Sequence, residues 1–158
     1  MPFRVLMVCT GNTCRSPLAE GILKASLPAG SRDRVDVSSA GTAALDGAQA
    51  TSMAREVAAR HGIDLSGHRS AALSRAEVGS ADLILAMARE HADAVRSLAP
   101  EASGRTFLLS AFAGGTRCDV PDPIGGTRDE YETIFETLRG HLEAALPRIL
   151  ALEKEAAR

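Results

Sequence analysis

The chain has 158 residues, 45% of them hydrophobic and 24% charged, with a formal net charge of −2. That length suits one domain over residues 1–158 with a real core, and the balance excludes a disordered chain and nucleic-acid binding by bulk electrostatics. No apolar stretch is long enough for a signal-peptide core or a membrane span, so a cytoplasmic protein without nucleic-acid or membrane partners is expected. Three cysteines, Cys9, Cys14 and Cys118, cannot form a full disulfide framework. Cys-x4-Cys without a neighbouring histidine is not a usual metal-ligand spacing, and no metal site is expected.

In chain order, residues 4–8 are β-branched and apolar, which predicts a strand buried on both faces. A loop over 9–15 follows, and Ser16-Pro17 predicts an N-cap and first turn of a helix running to about Leu27, before Pro28 and Gly30. Residues 35–39 predict a second strand. Residues 51–61 carry Met53, Val57 and Ala58 at helical spacing, with Gly62 placed to end that helix. Residues 82–87 predict a third strand, 88–98 a helix ended by Pro100, and 106–109 a fourth strand. Residues 113–126 are rich in Gly, Pro and Asp and predict a long functional loop. A last helix starts at Thr127, with Tyr131, Ile134, Phe135, Leu138 and Leu142 on its core face, and Pro147 is expected to kink or interrupt it. Alternating strands and helices predict an α/β fold, a doubly wound four-stranded parallel sheet with helices on both faces. Ligands then bind at the carboxyl ends of the strands, and the loop between strand 1 and helix 1 leads the candidates.

That loop reads Cys9-Thr10-Gly11-Asn12-Thr13-Cys14-Arg15-Ser16. A tight turn at a helix N-terminus directs backbone N–H groups and the positive end of the helix dipole at a tetrahedral dianion. Gly11 permits angles closed to other residues, and Asn12 tolerates left-handed geometry. Arg15 offers a planar fork for two phosphoryl oxygens. In this field the Cys9 thiolate is a competent nucleophile, to which Ser16 can donate a hydrogen bond. Each residue alone has an ordinary structural explanation, but Cys-x5-Arg-Ser at a strand–loop–helix junction is specific as a set.

The loop resembles the active-site loop of the low-molecular-weight protein tyrosine phosphatase family, Cys-x-Gly-Asn-x-Cys-Arg-Ser. The likeness extends through Pro17, Glu20, Ser39-Ala40-Gly41, His61-Gly62-Ile63, His68-Arg69, residues 81–87 and Asp122-Pro123. It implies a phosphatase acting on phosphorylated proteins and releasing inorganic phosphate, with Cys9 as nucleophile, Arg15 as phosphate clamp and Asp122 as general acid. It also implies that no metal or organic cofactor is needed. Bare sequence ranks Asp119 and Asp122 equally as loop carboxylates; the family's Asp-Pro pair selects Asp122. His68 matches a family histidine that supports the loop, and Cys14 matches a cysteine that can pair with the nucleophile under oxidation. His61, His91 and His141 are read as structural or solvated.

Three positions bear on specificity. Thr13 stands where tyrosine-specific members usually carry an aliphatic residue, and Leu45 falls near a position often aromatic in them. Ile124-Gly125-Gly126 follows Asp122-Pro123 where they usually place aromatics. The combination resembles the bacterial protein arginine phosphatase branch, although Ile124 departs from that branch's phenylalanine. Phosphoarginine is the expected substrate and phosphotyrosine the alternative. An arsenate reductase would need a further redox cysteine pair, and an inactive phosphate-binding module would be expected to lose Cys9 or Asp122.

Overall fold

The computed structural model describes all 158 residues. Strands β1 (Phe3–Cys9), β2 (Val35–Gly41), β3 (Leu83–Ala86) and β4 (Thr106–Leu108) form one parallel sheet in the order β2-β1-β3-β4. Helices are α1 (Arg15–Ser26), α2 (Ser52–Arg60), α3 (Arg75–Ser80), α4 (Arg89–Leu98), α5 (Leu109–Phe112) and α6 (Arg128–Ala156).

Strand alternation sends the apolar residues of β1 to opposite faces. Val5 and Met7 join Leu83 and Leu85 in a 30-residue cluster with Leu18, Leu23, Val57, Phe135, Leu138 and Ile149 from the helices. Leu6 and Val8 join Ile84 on the other face, against Val78, Val95 and Ala102, in a cluster of nine. Each fully buried large side chain contributes about 1.5–3 kcal/mol. The face carrying α1 and α6 therefore supplies most of the hydrophobic stabilisation, and it frames the loop after β1. Strand order reverses at β1, with β2 on one side and β3 on the other. The loops leaving β1 and β3 therefore lie side by side at the sheet's carboxyl edge.

The structure departs from the expected elements in three places, and Gly11, expected to use backbone angles closed to other residues, has no positive φ. Helix α1 starts at Arg15, so Ser16 lies inside its first turn and is not its N-cap. The short α3 and α5 carry too little periodicity to register, although Ser74 and Glu77 have capping-box spacing and Ser74 Oγ accepts the Glu77 N–H at 3.2 Å. Helix α6 runs through Pro147 without interruption. Pro147 and Glu143, whose carbonyl loses its helical partner, are both exposed, so water can satisfy that carbonyl.

Candidate active site

The N-cap of α1 is Cys14, and no side chain caps this helix. From Thr10 through Ser16 no backbone N–H has a protein acceptor. The carbonyls behave oppositely. Those of Cys9, Thr10 and Thr13 accept the N–H groups of Thr42, Ala43 and Thr51 at 2.9, 3.0 and 2.9 Å. The carbonyl of Asn12 accepts from His68 Nε2 at 2.8 Å. With its carbonyls drawn away, the loop leaves a run of N–H donors for an anion, reinforced by the positive end of α1.

Asn12 holds this shape. It is fully buried, and its φ of +54° makes it the one non-glycine residue in left-handed geometry. Its Nδ2 donates to Ser16 Oγ at 2.8 Å and Ser39 Oγ at 2.9 Å, while its Oδ1 accepts the Ala71 N–H at 2.9 Å. Because Asn12 donates to both hydroxyls, each hydroxyl hydrogen points onward. Ser39 donates to Glu20 Oε1 at 2.7 Å, and Ser16 is left to donate to Cys9 Sγ at 2.9 Å. A Cβ at Gly41 would stand 2.4 Å from the Thr10 carbonyl oxygen, so the end of β2 must be glycine for the loop to pack there.

Arg15 is 5% exposed. Its Nη1 donates to the Val120 carbonyl at 3.0 Å, and its Nη2 donates to Thr10 Oγ1 at 3.3 Å and lies 3.6 Å from Asp122 Oδ2. Asp122 is exposed, and its Oδ1 accepts the Ile124 N–H at 3.1 Å. The turn beyond closes with the Gly126 N–H on the Pro123 carbonyl at 2.7 Å, and Gly125 supplies its φ of +75°. Asp119 is committed elsewhere. Its Oδ1 accepts the Arg89 N–H at 2.9 Å and Arg89 Nε at 3.3 Å, capping α4, and the backbone bond chiefly holds its carboxyl below the usual range.

Cys14 is buried beside this loop, and burial, followed by the charge of Asp122, pushes its thiol up to about 12. All three cysteines are free thiols. Thr13 is half-buried and its carbonyl holds Thr51, while its hydroxyl has no protein partner. Leu45 and Ile124 are 83% and 58% exposed. Tyr131 and Phe135 are buried core residues. His61 stacks on Phe135 with ring centroids 4.1 Å apart and bonds Glu132, and His141 is half-buried without a partner for Nε2. His91 is what the sequence reading misses. It is buried at the N-terminus of α4 and reaches Thr10 Oγ1 from Nε2 at 2.8 Å. Its signal in the sequence is its place in the first turn after β3, beside the loop leaving β1.

The fold and this loop define a phosphatase of the cysteine-dependent kind, and comparison with known proteins agrees. A family model described as low molecular weight phosphotyrosine protein phosphatase matches residues 4–157. The chain belongs to that family and is a protein phosphatase. Among its relatives is a protein-arginine-phosphatase from Geobacillus stearothermophilus, 40% identical over 150 residues that cover 90% of this chain and 98% of the relative. A probable low molecular weight protein-tyrosine-phosphatase from Ralstonia nicotianae is 39% identical over 148 residues, 94% of this chain and 97% of that one. The solved YwlE arginine phosphatase from G. stearothermophilus superposes with a TM-score of 0.87 at 36% identity, covering 98% and 97% of the two chains.

Proposed function

We propose that Cys9 is the nucleophile of this phosphatase and that its substrates are phosphoarginine side chains of proteins, acted on in the cytoplasm by residues 1–158 as one catalytic domain. The observation that carries the mechanism is the run of unclaimed N–H groups from Thr10 through Ser16, closed by the Arg15 fork. The loop and Arg15 hold the phosphoryl oxygens while Cys9 sulfur, receiving the Ser16 hydrogen bond, attacks phosphorus. As the P–N bond breaks, the Asp122 carboxyl gives its proton to the departing guanidine nitrogen. The Asp122 carboxylate then takes a proton from water, whose oxygen attacks the cysteinyl phosphate. The S–P bond breaks, the thiolate returns, and inorganic phosphate leaves.

Preference for phosphoarginine is supported by Thr13, whose unengaged hydroxyl puts a polar group on the Cys9 loop, and by the likeness to arginine phosphatases. Leu45 and Ile124 favour the second reading, phosphotyrosine, because both are exposed apolar side chains, Leu45 two residues past Ala43, whose N–H bonds the Thr10 carbonyl, and Ile124 bonded through its N–H to Asp122. The test is parallel turnover of phosphoarginine and phosphotyrosine peptides by wild type and Thr13→Ile. The expected result is a higher kcat/KM for phosphoarginine in wild type and a shift towards phosphotyrosine in the variant. A wild type that prefers phosphotyrosine would refute the substrate assignment, and an unmoved ratio would remove Thr13 from specificity.

A further inference from the structure

His91 sits in the first turn of α4, at the sheet edge where the loop leaving β3 meets the loop leaving β1. Its ring bonds at both nitrogens. Nδ1 lies 3.0 Å from the Ala88 backbone nitrogen, and an amide N–H can only donate, so Nδ1 carries a lone pair. A neutral imidazole with Nδ1 as acceptor bears its hydrogen on Nε2. Nε2 is 2.8 Å from Thr10 Oγ1 and 3.6 Å from the exposed Glu90 carboxylate, so Thr10 takes that hydrogen. The reverse arrangement, with Thr10 donating to Nε2, would set an Nδ1–H against the Ala88 N–H. An imidazolium fails for the same reason, and burial followed by the positive charge of Arg15 holds His91 below its usual pKa.

The consequence falls on Thr10. Its Oγ1 accepts from His91 Nε2 and, at 3.3 Å, from Arg15 Nη2, which occupies both lone-pair directions. Its own hydrogen must leave along the remaining direction. Thr10 is half-buried, next to Cys9, and no protein acceptor takes that hydrogen. We propose that His91 is a positioning residue, locked in its Nε2–H tautomer by the start of α4, which aims the Thr10 hydroxyl as a donor at the phosphoryl group and steadies the Arg15 fork. The inference rests on Cys9 and its loop being the catalytic site. It adds a side-chain donor to the backbone donors, and it ties the loop after β1 to the helix after β3. Hydroxyl donors aimed at developing negative charge act mainly in the transition state.

The experiment is a double-mutant cycle on hydrolysis of a chromogenic aryl phosphate, with vanadate and inorganic phosphate as inhibitors and Cys9→Ser as control. Thr10→Val, which keeps the shape and removes the hydroxyl, is expected to lose ~10–100-fold in kcat/KM, the range for a hydrogen bond to a charged group. The loss should fall mainly on kcat, with vanadate binding weakened more than phosphate binding, and Thr10→Ser should recover most of the activity. His91→Leu should lose a similar factor in the wild-type background and less than about threefold in the Thr10→Val background, as expected for residues acting as a unit. Equal losses from His91→Leu in both backgrounds, or wild-type kinetics in Thr10→Val, would overturn the inference. If His91→Leu does not fold, the Val/Ser contrast at position 10 and the vanadate-to-phosphate ratio decide it. Wild-type-like turnover in Cys9→Ser would instead overturn the assignment of the site itself.

Discussion

Removing the Asn12 side chain tests the loop most directly, because one residue there combines complete burial, left-handed backbone and three side-chain hydrogen bonds. Asn12→Ala deletes all three bonds at about 1 kcal/mol each and forces a Cβ-bearing residue to keep φ near +54° without a side chain suited to it, at about 1–2 kcal/mol more. The expected loss is about 4–5 kcal/mol, or roughly 8–20 °C in Tm for a chain of this size. Asn12→Gly loses the same bonds without the strain but with about 0.5–1 kcal/mol of extra chain entropy, and should be slightly more stable than Asn12→Ala. Asn12→Asp keeps the acceptor for Ala71 and tolerates the backbone, but it buries a carboxylate at a site with no exposure, which offsets that gain in stability. Its carboxylate would draw the Ser16 hydroxyl hydrogen away from Cys9, however, so its kcat should fall at least as far as that of Asn12→Gly. Thermal melts and aryl phosphate kinetics on the three variants read both effects. Wild-type stability in Asn12→Gly would refute the account of the hydrogen bonds, and wild-type kcat in Asn12→Asp would refute the directed Asn12–Ser16–Cys9 chain.

Asp122→Ala should slow turnover by ~10²–10⁴-fold, the usual range for loss of a positioned acid, and Asp119→Ala far less; reversed ranks would assign the acid to Asp119. Asp119→Ala should instead lower stability, in full at pH above the unfolded carboxyl value of ~3.9. A carboxyl depressed by folding stabilises above its unfolded value and loses that effect as pH falls through the folded one, so wild type and Asp119→Ala melts should converge in acid. Under peroxide, Cys14 should trap an oxidised Cys9 as a disulfide that reductant reverses. With its thiol pushed up to about 12, trapping should speed up as pH rises from 6 to 9, and a Cys14→Ala enzyme that recovers activity as fully as wild type would leave Cys14 as packing.

The parts of this molecule legible in its sequence are those written in short-range patterns. The strands of β1 and β3 are continuous apolar runs, the core face of α6 repeats at helical spacing, and Cys9 to Ser16 carries its chemistry within one turn. What escaped is either too short to show a period, as with α3 and α5, or set by which side-chain partner a residue meets. Ser16 illustrates the second case. From sequence it is a helix cap, yet its hydroxyl is taken by Asn12 and Cys9, and the helix begins two residues earlier than that cap implies, with its N–H groups left unclaimed. An ordinary cap would have consumed donors that an anion site needs, so the missing cap and the binding function are one feature. His91 is the same kind of case at longer range. Nothing within its own helix distinguishes it from any other first-turn residue accepting a backbone N–H. Its meaning comes from strand order, because a sheet that reverses at β1 brings the start of α4 against Thr10, 81 residues away in sequence. A residue's type and neighbours predict which bonds it can make. Topology decides which partner it meets, and in this fold that decision falls at the edge where the nucleophile sits.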